Sequence, residues 1–446
     1  MMHQFFGGVH PAGHKELTEK KAASPLAEAP AQVVIPMSMH VGAPCKPVVA
    51  VGDQVKVGQL IGETVGLGAP IHASVSGKVV AVEPRLSASG MVMSVVIEND
   101  FQDTVDPSVS RRDNVGALTG AQIIEIVRSS GIVGMGGAGF PTHVKLSGAV
   151  GKVDALIING SECEPYITSD HRLMLERGEA IIGGARLLAK AVGLKEATIG
   201  IEQNKPDAIQ NLKSLVGEGD DVHIQPLRTR YPQGAEKQLI QTLTGRQVPP
   251  GKLPADVGCL VCNVATAAAV YDAVTAGMPL TQRRVTLTGG ALAEPVNLIA
   301  PVGTPVGHLV KMAGGFKENP DRVLFGGPMM GVAIYDLDVP MTKTTNCVLC
   351  LTAKETAAVD PDPTCIRCGK CVEACPMKLT PVFMRQHANA SHWDEVEELR
   401  VMDCIECGSC NYICPGRIPL VQSFRTAKAA IREKAAKEKQ KEAAKA

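Results

Sequence analysis

Aromatic side chains are scarce in this chain, whose 446 residues hold one Trp, five Tyr and eight Phe. Stacking platforms for bases are not expected, and neither is a nucleic-acid partner. Net charge is absent as well: 45 Lys and Arg balance 45 Asp and Glu, leaving no global field to draw in nucleic acid or an anionic membrane. Any basic partner site has to be local. No window reaches the roughly 18 uninterrupted apolar residues of a membrane span. The most apolar stretch, residues 264–280, contains Asp272. Residues 1–12 lack the basic start and apolar core of a secretory signal, which predicts a cytoplasmic chain whose fourteen cysteines serve as ligands rather than disulfides. Gly, 45, and Pro, 30, are plentiful and imply many turns and close backbone approaches. At roughly 150 residues per domain, the length predicts about three domains.

Residues 1–30 read as an irregular lead. Over residues 32–98 short β-rich runs alternate with Gly turns, predicting a small β-domain. Its runs 51–58, 59–61 and 74–79 resemble the half-barrel of biotinyl and lipoyl carriers, but the carrier lysine is missing. Its place falls near Gly66, and no Lys lies between Lys56 and Lys78. A structural or docking barrel is expected instead of a swinging arm. Past Asn114, helical patterns at 121–130, 180–192, 206–216, 234–243 and 266–276 interleave with strand patterns at 155–159, 197–202 and 222–227. Such alternation predicts an α/β layer structure. Residues 283–340 return to short strands, at 284–290 and 301–306, and resemble the soluble-ligand-binding β-grasp module. A helical, cysteine-rich segment is expected from Cys347 to Phe424. Residues 425–446, with eight Lys or Arg against three Glu amid alanines, read as an exposed helix with no apolar face. This tail is either solvated or in contact with acidic lipid or an acidic partner.

Two motifs of the form C-x2-C-x2-C-x3-C-P dominate the chemistry: Cys365, Cys368, Cys371 and Cys375 before Pro376, and Cys404, Cys407, Cys410 and Cys414 before Pro415. Three thiolates at this spacing wrap one cluster, while the fourth is carried away by the turn at Pro and ligates the other. Two [4Fe–4S] clusters follow, one on Cys365, Cys368, Cys371 and Cys414, the second on Cys375, Cys404, Cys407 and Cys410. Zinc competes poorly, because zinc sites close with four ligands. Cys347 and Cys350 form a further CxxC pair without partners and are expected to pack as buried thiols. Cys259 and Cys262 read as core on an apolar strand; Cys45 and Cys163 stand isolated. His143 and His171 lack a second ligand at metal spacing and read as polar loop residues.

Two close clusters only relay single electrons, so something must feed them. The loop Gly134-Met-Gly-Gly-Ala-Gly-Phe-Pro-Thr-His-Val-Lys145 offers backbone N–H groups to a phosphate or flat ring, with a plain tight turn as its bland alternative. It is not a dinucleotide fingerprint, since Pro141 follows where a helix would run on. Four motifs in order, Gly134 to Lys145, Asn159-Gly-Ser-Glu-Cys-Glu-Pro165, Tyr231-Pro-Gln-Gly-Ala-Glu236 and Asn263-Val-Ala-Thr266, resemble the flavin-carrying, NADH-oxidising subunit of respiratory complex I. With a barrel in front and two ferredoxin motifs behind, the chain resembles the RnfC (RsxC) subunit of the Rnf (Rsx) ion-translocating electron transport complex over nearly its full length.

That resemblance implies an α/β multidomain chain: a lead 1–30, a carrier-like barrel 31–112, an FMN- and NADH-binding domain 113–282, a β-grasp 283–342, an α-helical two-cluster ferredoxin domain 343–424 and a basic helical tail 425–446. It implies that Gly134, Gly136, Gly137 and Lys145 hold the FMN phosphate and ring edge, that Asn159, Ser161 and Glu162 line the isoalloxazine, and that Tyr231, Gly234, Asn263 and Thr266 complete the pocket. Phe140, Glu164 and Glu236 would meet NADH. The plain readings are a surface Lys145, helix-start or loop acids at Glu162 and Glu164, and a core Tyr231. Met135 stands where the complex I family has Arg, Ser161 where it has Asp, and Ala235 and Ala265 where it has Glu. NADH delivers two electrons as hydride and a cluster accepts one, so a flavin between them suits the inventory. Implied partners are NADH, ferredoxin, and integral-membrane and iron–sulfur or flavin subunits of one complex, with this chain peripheral on the cytoplasmic face of a bacterial inner membrane. Two rivals stay open: a soluble NADH-dependent corrin (cobalamin) reductase built of the same modules, and an electron-relay or assembly subunit that binds no nucleotide.

Overall fold

A computed structural model describes residues 3–217, 219–356 and 363–443. The chain divides into two compact units, one of residues 13–228 and 254–356, the other combining 3–12, 229–253 and 363–443. The last three residues of the basic tail lie outside the described residues.

The larger unit begins with the barrel. Alternating burial along Gln32–Pro36 turns Val33 and Ile35 inward, and this strand pairs with Gly90–Asn99 in a four-stranded sheet completed by Gly77–Ser87 and Gln54–Val55. Lys46–Pro47, Leu60–Glu63 and Ile71–His72 form a second sheet. Val33, Ile35, Ile61, Ile71, Val79 and Ile97 make up the core. Gly77 has φ +145°, and a Cβ there would stand 1.9 Å from the Glu98 carbonyl oxygen, so only glycine lets the hairpin close. The exposed turn between Leu60–Glu63 and Ile71–His72 carries Gly66 and no lysine.

Next comes a fully parallel sheet in the order Val222–Leu227, Ala197–Glu202, Ala155–Asn159, Cys259–Asn263. Ala155–Asn159, Ala197–Glu202 and Cys259–Asn263 are nearly continuous buried runs because helices cover the faces, whereas the edge strand Val222–Leu227 carries His223 and Gln225 and is only partly buried. Gly178–Val192 and Val264–Thr275 approach so closely that a Cβ on Gly184 would lie 1.9 Å from the Ala267 carbonyl oxygen. The helix Gly120–Ser129 starts from a capping box, Thr119 with Gln122, and buries Ile123 and Val127 one turn apart.

The β-grasp sheet has six strands, ordered Ser24–Pro25, Val296–Pro301, Gln282–Thr288, Cys347–Leu351, Arg322–Phe325, Val332–Ile334. Two expectations fail here. The run 301–306 is not a strand: Thr304 Oγ1 donates back to the Pro301 carbonyl at 2.7 Å, and Pro305 caps the helix Val306–Met312. Nor is the chain helical from Cys347, because five buried residues, Cys-Val-Leu-Cys-Leu, insert as an interior strand between Gln282–Thr288 and Arg322–Phe325. Cys347 and Cys350 are fully buried there.

In the smaller unit short helices pack around Met384, Val396, Val401, Leu420 and Phe424. Its last helix, Leu420–Ala443, corrects the reading of the tail, since Ala427 and Ile431 belong to this core and Lys428 is buried beside them. Residues 432–440 are exposed, as expected. Among the described residues no helix is long and apolar enough to cross a membrane.

Candidate functional site

The parallel sheet reverses its order at Ala155–Asn159: the next two strands are added on one side and Cys259–Asn263 on the other. Open α/β sheets bind ligands in the crevice at the carboxyl ends of the two strands flanking such a reversal. Asn159 and Asn263 end those strands directly opposite one another.

The glycine loop closes over this point. Gly134 N–H donates to the Phe140 carbonyl at 2.9 Å, Met135 N–H to Thr266 Oγ1 at 3.1 Å, and a Cβ on Gly136 would stand 3.1 Å from the Asn263 side chain. Gly139 has φ +72°, and a Cβ there would lie 2.8 Å from Thr344 Cγ2. Gly136, Gly137 and Ala138 are exposed, and a Cβ on Gly137 would meet nothing in the chain. Internal packing therefore does not require that glycine, and the loop stays open to close approach from outside. Lys145 is half-buried on the helix Thr142–Ala149 that leaves the loop, and Phe140 is 39% exposed. Asn263 accepts from Ala265 N–H at 2.8 Å, capping Val264–Thr275, and donates from Nδ2 to Asp170 at 2.7 Å.

Ser161 follows the strand end and is fully buried, with its Oγ lacking a hydrogen-bond partner. A buried orphan hydroxyl is costly, and a polar ligand in the crevice would satisfy it. Glu162 has its carboxylate occupied: it accepts from the N–H groups of Asp170 (2.6 Å) and His171 (3.2 Å) at the start of Ser169–Glu176, with Lys15 Nζ 4.0 Å away. Burial raises this carboxyl and the Lys15 charge opposes the rise. Two buried lysines hold the loop by its carbonyls, Lys15 at Glu162, Glu164 and Ile167, Lys205 at Ser161. Glu164 accepts from Met329 N–H at 3.1 Å. Both acids thus serve the chain's own backbone, the plainer of their two readings. His171 and His143 are helical, not loop residues, and His171 Nε2 meets Asp207 at 2.8 Å.

Lys15, Asp170, Lys205 and Arg283 escaped sequence reasoning. Each is a charged residue outside any motif, and only its burial marks it. Arg283 is buried under the loop, and desolvation lowers its pKa to about 10, so it stays protonated at neutral pH.

Tyr231, Gly234 and Glu236 belong to the smaller unit. There the buried Tyr231 hydroxyl donates to the Cys407 carbonyl at 2.7 Å, Gln238 reaches the Pro376 carbonyl at 3.4 Å, and Gly8 N–H donates to the Ala374 carbonyl at 2.8 Å. Residues 229–253 and the N-terminal lead thereby brace the two cysteine motifs.

The motifs themselves repeat one backbone. Arg367 and Glu406 share φ +55°, Gly369 and Gly408 share φ +77°, and their N–H partners match: Arg367 N–H reaches Cys365 Sγ and Glu406 N–H reaches Cys404 Sγ, both at 3.4 Å. One cavity is lined by Cys365, Cys368, Cys371 and Cys414; another by Cys375, Cys404, Cys407 and Cys410. Burial raises the thiols of Cys375, Cys404 and Cys407. Four soft sulfur donors around each cavity fit a [4Fe–4S] cluster.

Comparison with known families agrees with this arrangement. Residues 3–102 match the RnfC barrel sandwich hybrid domain, 127–272 the Nuo51 FMN-binding domain, 284–333 the SLBB domain and 364–418 the 4Fe–4S dicluster domain. The chain accordingly carries FMN and two [4Fe–4S] clusters as its cofactors. In overall fold it is similar to a chain of an NAD+-reducing [NiFe]-hydrogenase, with TM-score 0.51 and 20% identity over 72% of this chain and 67% of that one. Among curated proteins it is 48% identical to the C component of the Na(+)-translocating ferredoxin:NAD(+) oxidoreductase complex of Acetobacterium woodii, covering 96% of this chain and 97% of that one. It is 44% identical to the C component of the proton-translocating ferredoxin:NAD(+) oxidoreductase complex of Clostridium ljungdahlii (99% and 97%) and 44% identical to that of the ion-translocating oxidoreductase complex of Rhodobacter capsulatus (97% and 84%). Such identity over nearly the whole length places the chain in the RnfC family, the C components of Rnf complexes.

Proposed function

We propose that this chain is the subunit through which electrons enter or leave a membrane-bound, ion-translocating NAD:ferredoxin oxidoreductase, as the names of its relatives suggest. It sits peripherally on the cytoplasmic face of a bacterial membrane, beside integral-membrane subunits, and the complex exchanges electrons with ferredoxin. The observation that carries this reading is the pairing of an FMN-binding domain with eight motif cysteines sorted into two sets of four, each lining its own cavity.

FMN, when bound, supplies the exchange between a two-electron hydride and the single electrons that the clusters carry. The chain's residues do the placing. Gly134, whose own amide closes the loop on Phe140, lets Gly136 and Gly137 bring outward amides to the phosphate, Lys145 adds a charge, and Asn159, Ser161, Asn263 and Thr266 present polar groups at the crevice. Glu162 positions that crevice by fixing the helix Ser169–Glu176. Phe140 is exposed for stacking on the nicotinamide nucleotide, with Glu164 as a weaker candidate for it. Cys365, Cys368, Cys371 and Cys414 ligate the first cluster; Cys375, Cys404, Cys407 and Cys410 ligate the second. The domain limits proposed are 31–112, 113–282, 283–342 and 343–424, with Cys347–Leu351 counted structurally in the β-grasp sheet.

Anaerobic purification with flavin, iron and sulfide analysis and an NADH titration tests the reading. About eight irons, one FMN and bleaching by NADH are expected. Replacing Lys145 by Ala is expected to weaken FMN binding about ten- to a hundredfold while both clusters persist. A chain with clusters and no flavin would favour the relay reading, and reduction of cob(III)alamin by NADH would favour the corrin reductase.

A further inference from the structure

The β-grasp strand Gln282–Thr288 sends Arg283 beneath the glycine loop, where it is 4% exposed. Its Nη1 donates to Met135 Sδ at 2.7 Å, its Nη2 reaches the Met135 carbonyl oxygen at 3.5 Å, and its Nε the Thr345 carbonyl at 3.3 Å. Among the described residues no carboxylate hydrogen-bonds to it; Asp170 acts on it only through space. A cation buried without a contact counter-charge is costly to keep, and packing alone does not call for one, since Met or Leu would fill such a site at less cost.

The position of the charge explains its retention. Arg283 approaches the oxygen of the peptide that joins Met135 to Gly136. In a planar trans peptide the N–H points away from the C=O, so a cation on the Met135 oxygen polarises the Gly136 N–H on the opposite side. Gly136 begins the exposed run that continues through Gly137 and Ala138. A guanidinium reaches Met135 from a neighbouring module.

We propose that Arg283 is a positioning residue for the anionic end of the flavin: it anchors Met135 and, from behind the loop, readies the outward amides for the FMN phosphate. The inference rests on the reading that the crevice holds FMN. Its test uses the difference between FMN and riboflavin, which lacks the phosphate. Full-length chain stripped of flavin is titrated with each, following flavin fluorescence, as wild type and as Arg283→Met, Arg283→Gln and Arg283→Lys. Loss of the charge is expected to weaken FMN about tenfold and leave riboflavin nearly unchanged. Arg283→Gln, which keeps amide donors, is expected to behave like Arg283→Met and guards against a misfolded Met variant, while Arg283→Lys recovers most FMN affinity. Equal losses for both flavins without recovery by Lys would show mere packing and overturn the proposal. Undiminished FMN affinity in both neutral variants would overturn it too. A wild-type chain that takes up neither flavin sinks the FMN reading itself.

Discussion

Lys428 Nζ lies 2.7 Å from the Glu406 carboxylate and 2.6 Å from the carbonyl oxygen of Cys404. Arg425 joins the same carboxylate at 2.8 Å, and although burial would raise the Glu406 carboxyl, these two partners hold it below its usual range. A residue of the C-terminal helix thus fastens the backbone of the second cysteine motif. Truncation after Phe424 removes Arg425, Lys428 and the buried Ala427 and Ile431. Losing one buried Ile alone costs about 2–4 kcal/mol. We expect that truncation to release iron and lower the melting temperature, while truncation after residue 436, within the exposed part, changes neither. Iron analysis of both variants decides the point; full iron retention in the shorter chain would contradict it.

Cys414 lines a cavity with Cys365, Cys368 and Cys371, which precede it by 43 to 49 residues. Its replacement by Ser is expected to damage the first cluster and spare the second. EPR and Mössbauer spectra of the variant should show one intact [4Fe–4S] signal set, which Cys404→Ser should then abolish in the double variant. Loss of the Cys404 set in Cys414→Ser alone would reverse the ligand assignment.

Tyr231→Phe removes the hydroxyl that donates to the Cys407 carbonyl and leaves a buried acceptor unsatisfied, a local cost of about 1–3 kcal/mol. The expected outcome is faster loss of the second cluster to a chelator, with the first cluster unchanged. Equal lability of both clusters would argue against this bracing role.

His72 is buried, and desolvation depresses its pKa to about 3. The unfolded imidazole protonates near pH 6.5, so between that pH and about 3 the unfolded chain binds the extra proton and acid weakens the fold. At pH 5 this amounts to about 2 kcal/mol at most. His72→Asn is expected to lose less melting temperature than the wild type between pH 7 and pH 5. An identical acid shift in both would place the titration elsewhere.

Cysteine spacing was sufficient to name two clusters, because ligation at one metal cluster constrains sequence separation directly. Period and glycine turns likewise disclosed the barrel and the α/β layers, whose burial repeats along the chain itself. Other features required the fold. The strand Cys347–Leu351 has five apolar residues, a length and pattern that suit a strand or a buried helix turn alike, and its place between two β-grasp strands settles the matter. The tail read as polar all round because Ala427 and Ile431 are two apolar positions among many lysines; packing against Phe424 and Val396 buries them. Glu162 carries one signature in sequence whether it faces a ligand or caps a helix, and only the N–H groups of Asp170 and His171 distinguish the roles. Local spacing therefore determined which chemistry the chain carries. Tertiary structure decided which charges are spent on the chain's own backbone, since the partners of Lys15, Lys205, Arg283 and Lys428 lie far away in sequence and become neighbours only when the core closes.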